Sequence, residues 1–136
     1  MKKGERRKQD LLNIAYRMFI EKGYENTSVD DIIIEAGIAK GTYYYYFESK
    51  EATLEAVIEM MIEKAENIAK AALMNPVPIP QKLASVVYAF QPNKDEIVIT
   101  DVLERKENIV MHDKIGKKIV EVAVPILSDI VREGIA

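Results

Sequence analysis

The chain has 136 residues, 49% of them hydrophobic, and a net charge of −3, which is enough apolar material for one or two packed cores and argues against disorder or a fibre. It has no cysteine, so disulfides, zinc–thiolate centres and thiol nucleophiles are excluded and a cytosolic setting is expected. No apolar run approaches the ~20 residues of a membrane span, and the opening MKKGERRKQD leads into an amphipathic pattern rather than a signal-peptide block, so a cytoplasmic protein without a membrane partner is expected.

Charge is unevenly spread. Residues 1–50 carry nine Lys/Arg against eight Asp/Glu, and residues 51–136 carry ten against fourteen. Five of the nine, Lys2, Lys3, Arg6, Arg7 and Lys8, fall in the first eight positions. A basic end on an acidic body fits a protein that meets nucleic acid through one end.

Leu11, Leu12, Ala15, Met18 and Phe19 recur at helical spacing and predict a first helix from about Glu5 to Lys22, stopped by Gly23. Ser28, with Asp31 three residues on, marks the start of a second helix of about two turns with an inner face of Val29, Ile32, Ile33 and Ala36. Gly37 can take the positive φ of a sharp reversal, and a third helix is predicted from Lys40 to Phe47. Ser49 caps a long fourth helix with the row Leu54, Ile58, Met61, Ala65, Ile68 and Ala72. Prolines at 76, 78 and 80 break it and form a linker. Pro80 opens a fifth helix along Leu83, Val86, Val87 and Phe90, which Pro92 ends. Asn93 and Glu96 repeat the cap pattern for a sixth helix reaching about Glu107. Gly116 is expected to precede a seventh, bent at Pro125. Residues 96–102 are β-branched enough to suit a strand, but the cap favours helix. The fold class is therefore all-α.

The segment TSVDDIIIEAGIAKGTYYYYFESK at 27–50 reads as a DNA-binding helix-turn-helix. Ile38 and Phe47 suit the face that locks to the protein. Gly41 allows close approach to a duplex, Thr42 offers a hydroxyl and a methyl, and Lys40 can reach a base edge or a phosphate. Four consecutive tyrosines must point around the whole helix. Tyr43 shares a face with Phe47 and is expected inward, with Tyr46 at its edge, while Tyr44 and Tyr45, about 100° and 200° away, are left outside. Thr27 and Ser28 precede a helix N-terminus, where a phosphate oxygen is favoured, and are expected to clamp the DNA backbone. Otherwise Ser28 is only a cap and the rings only packing. The basic start either follows DNA or is a disordered, solvated end.

The stretch LLNIAYRMFIEKGYENTSVDDIIIEAGIAKGTYYYYFESKEATLEAVIE, residues 11–59, resembles the tetracycline-repressor (TetR) family of bacterial transcriptional regulators. The likeness lies in Phe19, Lys22-Gly23-Tyr24, Thr27-Ser28-Val29, Ile32, Ala36-Gly37-Ile38, Lys40-Gly41-Thr42, Tyr44-Tyr45-Tyr46-Phe47 and Ser49-Lys50-Glu51. It implies that Tyr44, Tyr45 and Tyr46 meet double-stranded operator DNA, with Tyr46 and Lys50 on phosphates. It further implies a homodimer and repression relieved by a small-molecule effector held in the later helices. Tyr43 and Thr53 depart from the family, which commonly has leucine at both places. Members also continue past the positions of Glu133 and Gly134 into two more helices that usually pair with a partner subunit, so either the part seen here is incomplete at its C-terminus, as is expected, or the dimer is built otherwise.

The expected organisation is a DNA-binding head at 1–47 and an effector-binding body at 48–136. Met60, Met61, Met74, Tyr88, Phe90 and Met111 either line a cavity there or are plain core, and no effector-binding residue is assigned. His112, the single histidine, is either a polar residue in a helix connection or a ligand contact or pH-sensitive group; without cysteines it makes no metal centre. Glu66 and Lys70 read as a solvated pair. No catalytic pair, metal cluster or phosphate loop is found, so neither cofactor nor enzyme activity is expected. A helical interaction module that has kept the head's shape without DNA binding is the rival reading.

Overall fold

The computed structural model describes residues 2–135; Met1 and Ala136, the outer limits of the two expected parts, lie outside them. Among the described residues there are seven α-helices and no strand: α1 Lys3–Lys22, α2 Val29–Ala36, α3 Lys40–Tyr46, α4 Lys50–Leu73, α5 Ile79–Ala89, α6 Ile97–Leu103 and α7 Ile109–Ile135.

α1 buries Leu11, Leu12, Ala15, Met18 and Phe19, the predicted stripe. It stops at Gly23, whose φ of +86° lets its N–H reach the Phe19 carbonyl at 3.0 Å. Because α1 already begins at Lys3, the basic residues up to Lys8 ride on a helix rather than forming a loose arm. In α2, Ser28 Oγ accepts from the Asp31 N–H at 3.0 Å and the Asp31 carboxylate accepts from the Ser28 N–H at 2.9 Å, which closes both bonds of the capping box. Gly37, at φ +65°, ends α2 and turns the chain into α3.

The sequence-based bounds fail in the last third. The Asn93–Glu96 bonds do form, at 3.0 and 2.8 Å, but they close a turn ahead of α6. α6 ends at Leu103, not near Glu107, once Ile99, Val102 and Leu103 are buried, and Asn108 then donates to the Val102 carbonyl at 2.8 Å. α7 starts at Ile109 and passes straight through Gly116. One glycine costs a helix about 1 kcal/mol relative to alanine, too little to break 27 residues that bury Ile115, Ile126 and Ile130. Pro125 likewise lies within the helix.

Two apolar clusters hold the molecule. The larger runs continuously from Leu11 and Phe19 through Ile32, Tyr43 and Phe47 to Leu54, Ile58, Ile99 and Ile115, so α1 and α4 carry packing from the helix-turn-helix into the later helices. The smaller, Ala69, Val86, Ile126 and Ile130, joins the far ends of α4, α5 and α7. Beside it the buried Lys82 ammonium donates to both Glu133 carboxylate oxygens at 2.8 Å and to the Leu73 carbonyl at 3.1 Å.

Candidate nucleic-acid interface

α3 is seven residues long and owes its position to its buried side. Tyr43 is 0% exposed and Phe47 closes the same face. The Tyr43 hydroxyl is bonded to Thr53 Oγ1, and Thr53, also buried, donates its own proton to the Ser49 carbonyl at 3.1 Å. Burial pushes the Tyr43 phenol above its usual pKa against the opposing effect of the Thr53 bond. The two residues that depart from the leucines expected by resemblance thus form one hydrogen-bonded pair between α3 and the start of α4.

The opposite side of α3 is open. Tyr45 is 83% and Tyr44 44% exposed, with the Tyr44 ring set edge-on against Tyr43 at 5.3 Å and Tyr45 edge-on against Tyr46 at 5.0 Å. The outer rings are thereby buttressed by inner ones. Lys40 and Gly41 are exposed at the N-terminal end of the same helix and Thr42 is half-buried beside them. No atom would lie within 4 Å of a Cβ on Gly41, so internal packing does not require glycine there. Tyr46 is half-buried, and a Cβ on Gly4 would stand 3.9 Å from its hydroxyl, which brings the basic first turns of α1 beside α3. Lys8 Nζ lies 5.7 Å from the Phe47 ring centre.

Two predicted contacts are placed differently from expectation. Thr27 is 0% exposed and its hydroxyl donates to the Gly23 carbonyl at 2.8 Å, so its side chain secures the approach to α2. Lys50 does not stand free. Its ammonium donates to the Tyr24 carbonyl at 3.0 Å and lies 4.1 Å from the Tyr24 ring centre, and burial lowers its pKa. Ser28 is exposed and, with its oxygen accepting from Asp31, keeps its hydroxyl proton available.

The acids of α2 are held by cations of α1 and α3. Arg17 pairs with Glu35 at 2.9 Å, Lys22 with Asp31 at 3.1 Å, and Lys40 stands 3.9 Å from Asp30. The Asp31 carboxyl lies below its ordinary pKa because the Ser28 backbone N–H, and then Lys22, bond its charged form. Exposed pairs of this kind add little stability, but they keep uncompensated negative charge away from the tyrosine face.

Residues 11–57 match the sequence profile of bacterial regulatory proteins of the tetR family. The HTH-type regulator YerO of Bacillus subtilis is 31% identical over 99 residues, 68% of this chain and 34% of that protein. EthR of Mycolicibacterium smegmatis is 39% identical over 64 residues, 47% of this chain and 30% of that protein. This chain belongs to the TetR family. A biofilm-operon negative regulator, IcaR of Staphylococcus aureus, is 34% identical over 61 residues, 45% of this chain and 33% of its own length. The matched segments thus span about a third of these curated relatives. In fold, the fatty acid degradation regulator FadR of Bacillus halodurans superposes with a TM-score of 0.75 at 22% identity, over 98% of this chain and 70% of that one.

Behind the head of this TetR-family chain lies a cavity of about 680 Å³ between α1, α4, α6 and α7 and the end of α5. Met61, Tyr88 and Phe90 line it as one of the two expectations had them. Met60 is instead core, Met74 is 84% exposed, and Met111 packs on the core. Tyr16, Glu96 and His112 also reach the wall. Tyr16 escaped sequence reading because its periodicity marks only a helix flank. Glu66 and Lys70 pair at 3.1 Å and edge a smaller hollow of about 410 Å³ along α4 and α7. Among the described residues no helix is long and apolar enough to cross a membrane, and no group of acidic or histidine side chains could hold a metal.

Proposed function

We propose that this chain is a DNA-binding transcriptional regulator that represses from its operator as a cytoplasmic homodimer and is released by a small molecule. The observation that carries this reading is the outer face of α3, where Tyr44 and Tyr45 stand open beside Lys40 and Gly41 while Tyr43 anchors the helix from behind. Aromatic rings that could have been buried face water instead, next to cations and a helix with a basic start. Lys40, Gly41, Thr42, Tyr44 and Tyr45 enter the major groove; Tyr46, Ser28 and Lys50 meet phosphates, Lys50 through the ammonium protons that Tyr24 leaves over. Thr27 serves by holding the start of α2. The negative regulator IcaR is a relative in this segment, which favours repression.

Release follows from α4. Its first turns pack in the head's core through Leu54, Val57 and Ile58, and its middle lines the cavity through Met61, Ile62 and Ala65. A ligand that favours another setting of α4 changes the separation of two recognition helices, which must sit ~34 Å apart, or a multiple, to meet successive major grooves. Selection of genomic fragments by the purified protein tests the reading. It should enrich one sequence with two-fold symmetry, located near a promoter. Enrichment of no sequence would return the chain to the interaction-module reading.

A further inference from the structure

We propose that the cavity behind the head takes an organic cation with a hydrocarbon body; this rests on the reading of that cavity as the effector site. Its long wall is apolar, with Met61, Ala65 and Ile68 of α4 facing Phe90 and Ile119, and its volume lies in the range of small-molecule sites. Its polar pole is negative. The half-buried Glu96 carboxylate accepts from the Tyr16 hydroxyl at 2.9 Å and from the Asn93 N–H at 3.0 Å, both neutral donors. Glu104, whose side chain is 74% exposed, also lines the cavity and pairs with His112 at 3.6 Å, which is charged only when protonated. The Tyr16 phenol is pushed above its usual pKa by burial first and then by its bond to Glu96, against the opposing effect of Asn93.

The chain already sets a cation at this pole. Lys64 Nζ lies 5.4 Å from the Tyr16 ring centre, and Lys64 is an exposed residue on a flexible stem. A ligand ammonium can take the same aromatic face, pair with Glu96 and leave Lys64 to water. An anionic amphiphile would instead bring like charge to Glu96 and Glu104.

Isothermal titration of the whole chain with octyltrimethylammonium, octanol and octanoate tests this. The cation should bind roughly tenfold more tightly than the alcohol, and octanoate most weakly. Glu96→Gln should remove most of the cation's advantage over octanol, whereas Lys64→Met, at an exposed residue of the cavity lining, should strengthen cation binding by removing its internal competitor. Equal affinities, a preference for octanoate, or weaker cation binding in Lys64→Met would overturn the proposal. A gel shift on the selected DNA fragment separates the two readings. DNA binding without any cation binding sinks the ligand class alone, and cation binding that never releases DNA supports the ligand class while sinking the effector role.

Discussion

Thr53 gives its single hydroxyl proton to the Ser49 carbonyl, so in the Tyr43–Thr53 bond the phenol must be the donor. The two ends of that bond are therefore unequal. Thr53→Val strands a buried phenol and should cost about 1–3 kcal/mol, while Tyr43→Phe leaves Thr53 still bonded to Ser49 and should cost only about 0.5–1.5 kcal/mol. The double variant should be more stable than Thr53→Val alone. Urea unfolding measures all three, and additive losses would mean that the bond does not couple the residues. Gly41 is the opposite case. With open space around it, Gly41→Ala should raise stability by up to about 1 kcal/mol, yet weaken DNA binding by holding the duplex off. Unaltered affinity in a gel shift would remove Gly41 from the interface. The burial of Tyr43 and exposure of Tyr44 and Tyr45 were legible from the 100° step of a helix. The Thr53 partner was not, because a ten-residue separation across a turn leaves no periodic trace.

At the level of helices, the first four were legible because each has its own stop or cap: Gly23, the Ser28–Asp31 box, Gly37 and Ser49. The bounds of α6 and α7 were not, since tertiary burial of Ile99, Val102 and Ile115 overrode a local cap and a glycine. The clamp on the far ends of α4, α5 and α7 also lay beyond sequence reading, as Lys82 and Glu133 are 51 positions apart. Its two partners differ in burial, 6% against 51% side-chain exposure. Glu133→Ala leaves a buried ammonium with only a carbonyl and should cost about 2 kcal/mol or more, whereas Lys82→Met returns Glu133 to water and should cost less. Thermal unfolding ranks the two, and the reverse order would contradict the clamp's geometry. Tyr24, between α1 and α2, gives a pH test. Its phenol is pushed up to about 12 by burial first and then by the charges of Glu51 and Tyr43. The folded pKa is raised, so its contribution is complete below pH 10 and is lost as pH rises from 10 through about 12. The urea midpoint should fall across that window, and less so in Tyr24→Phe. Equal falls in both proteins would show that Tyr24 is not the group responsible.

Across the whole molecule, head and body share one continuous core and are joined by polar links as well. Tyr16 on α1 bonds Glu96 ahead of α6, and Glu25 pairs with Arg105. Under the proposed function, occupation of the cavity would bear on the helix-turn-helix through α1 as well as α4. The basic start of α1 adds to the same end. Lys2, Lys3, Arg6, Arg7 and Lys8 sit at a helix N-terminus, where the dipole already disfavours positive charge, and the DNA backbone of the proposed complex would offset that cost.

The claim on which the rest depends is that the open face of α3 enters DNA. Fluorescence anisotropy of the selected fragment, titrated with wild type, Tyr45→Ala and Lys40→Ala across a range of salt, tests it most directly. Log affinity should fall linearly with log salt, by roughly 0.9 for each phosphate contacted. Both variants should bind more weakly while keeping their helical circular dichroism. Salt-independent binding, or wild-type affinity in both variants, would contradict it.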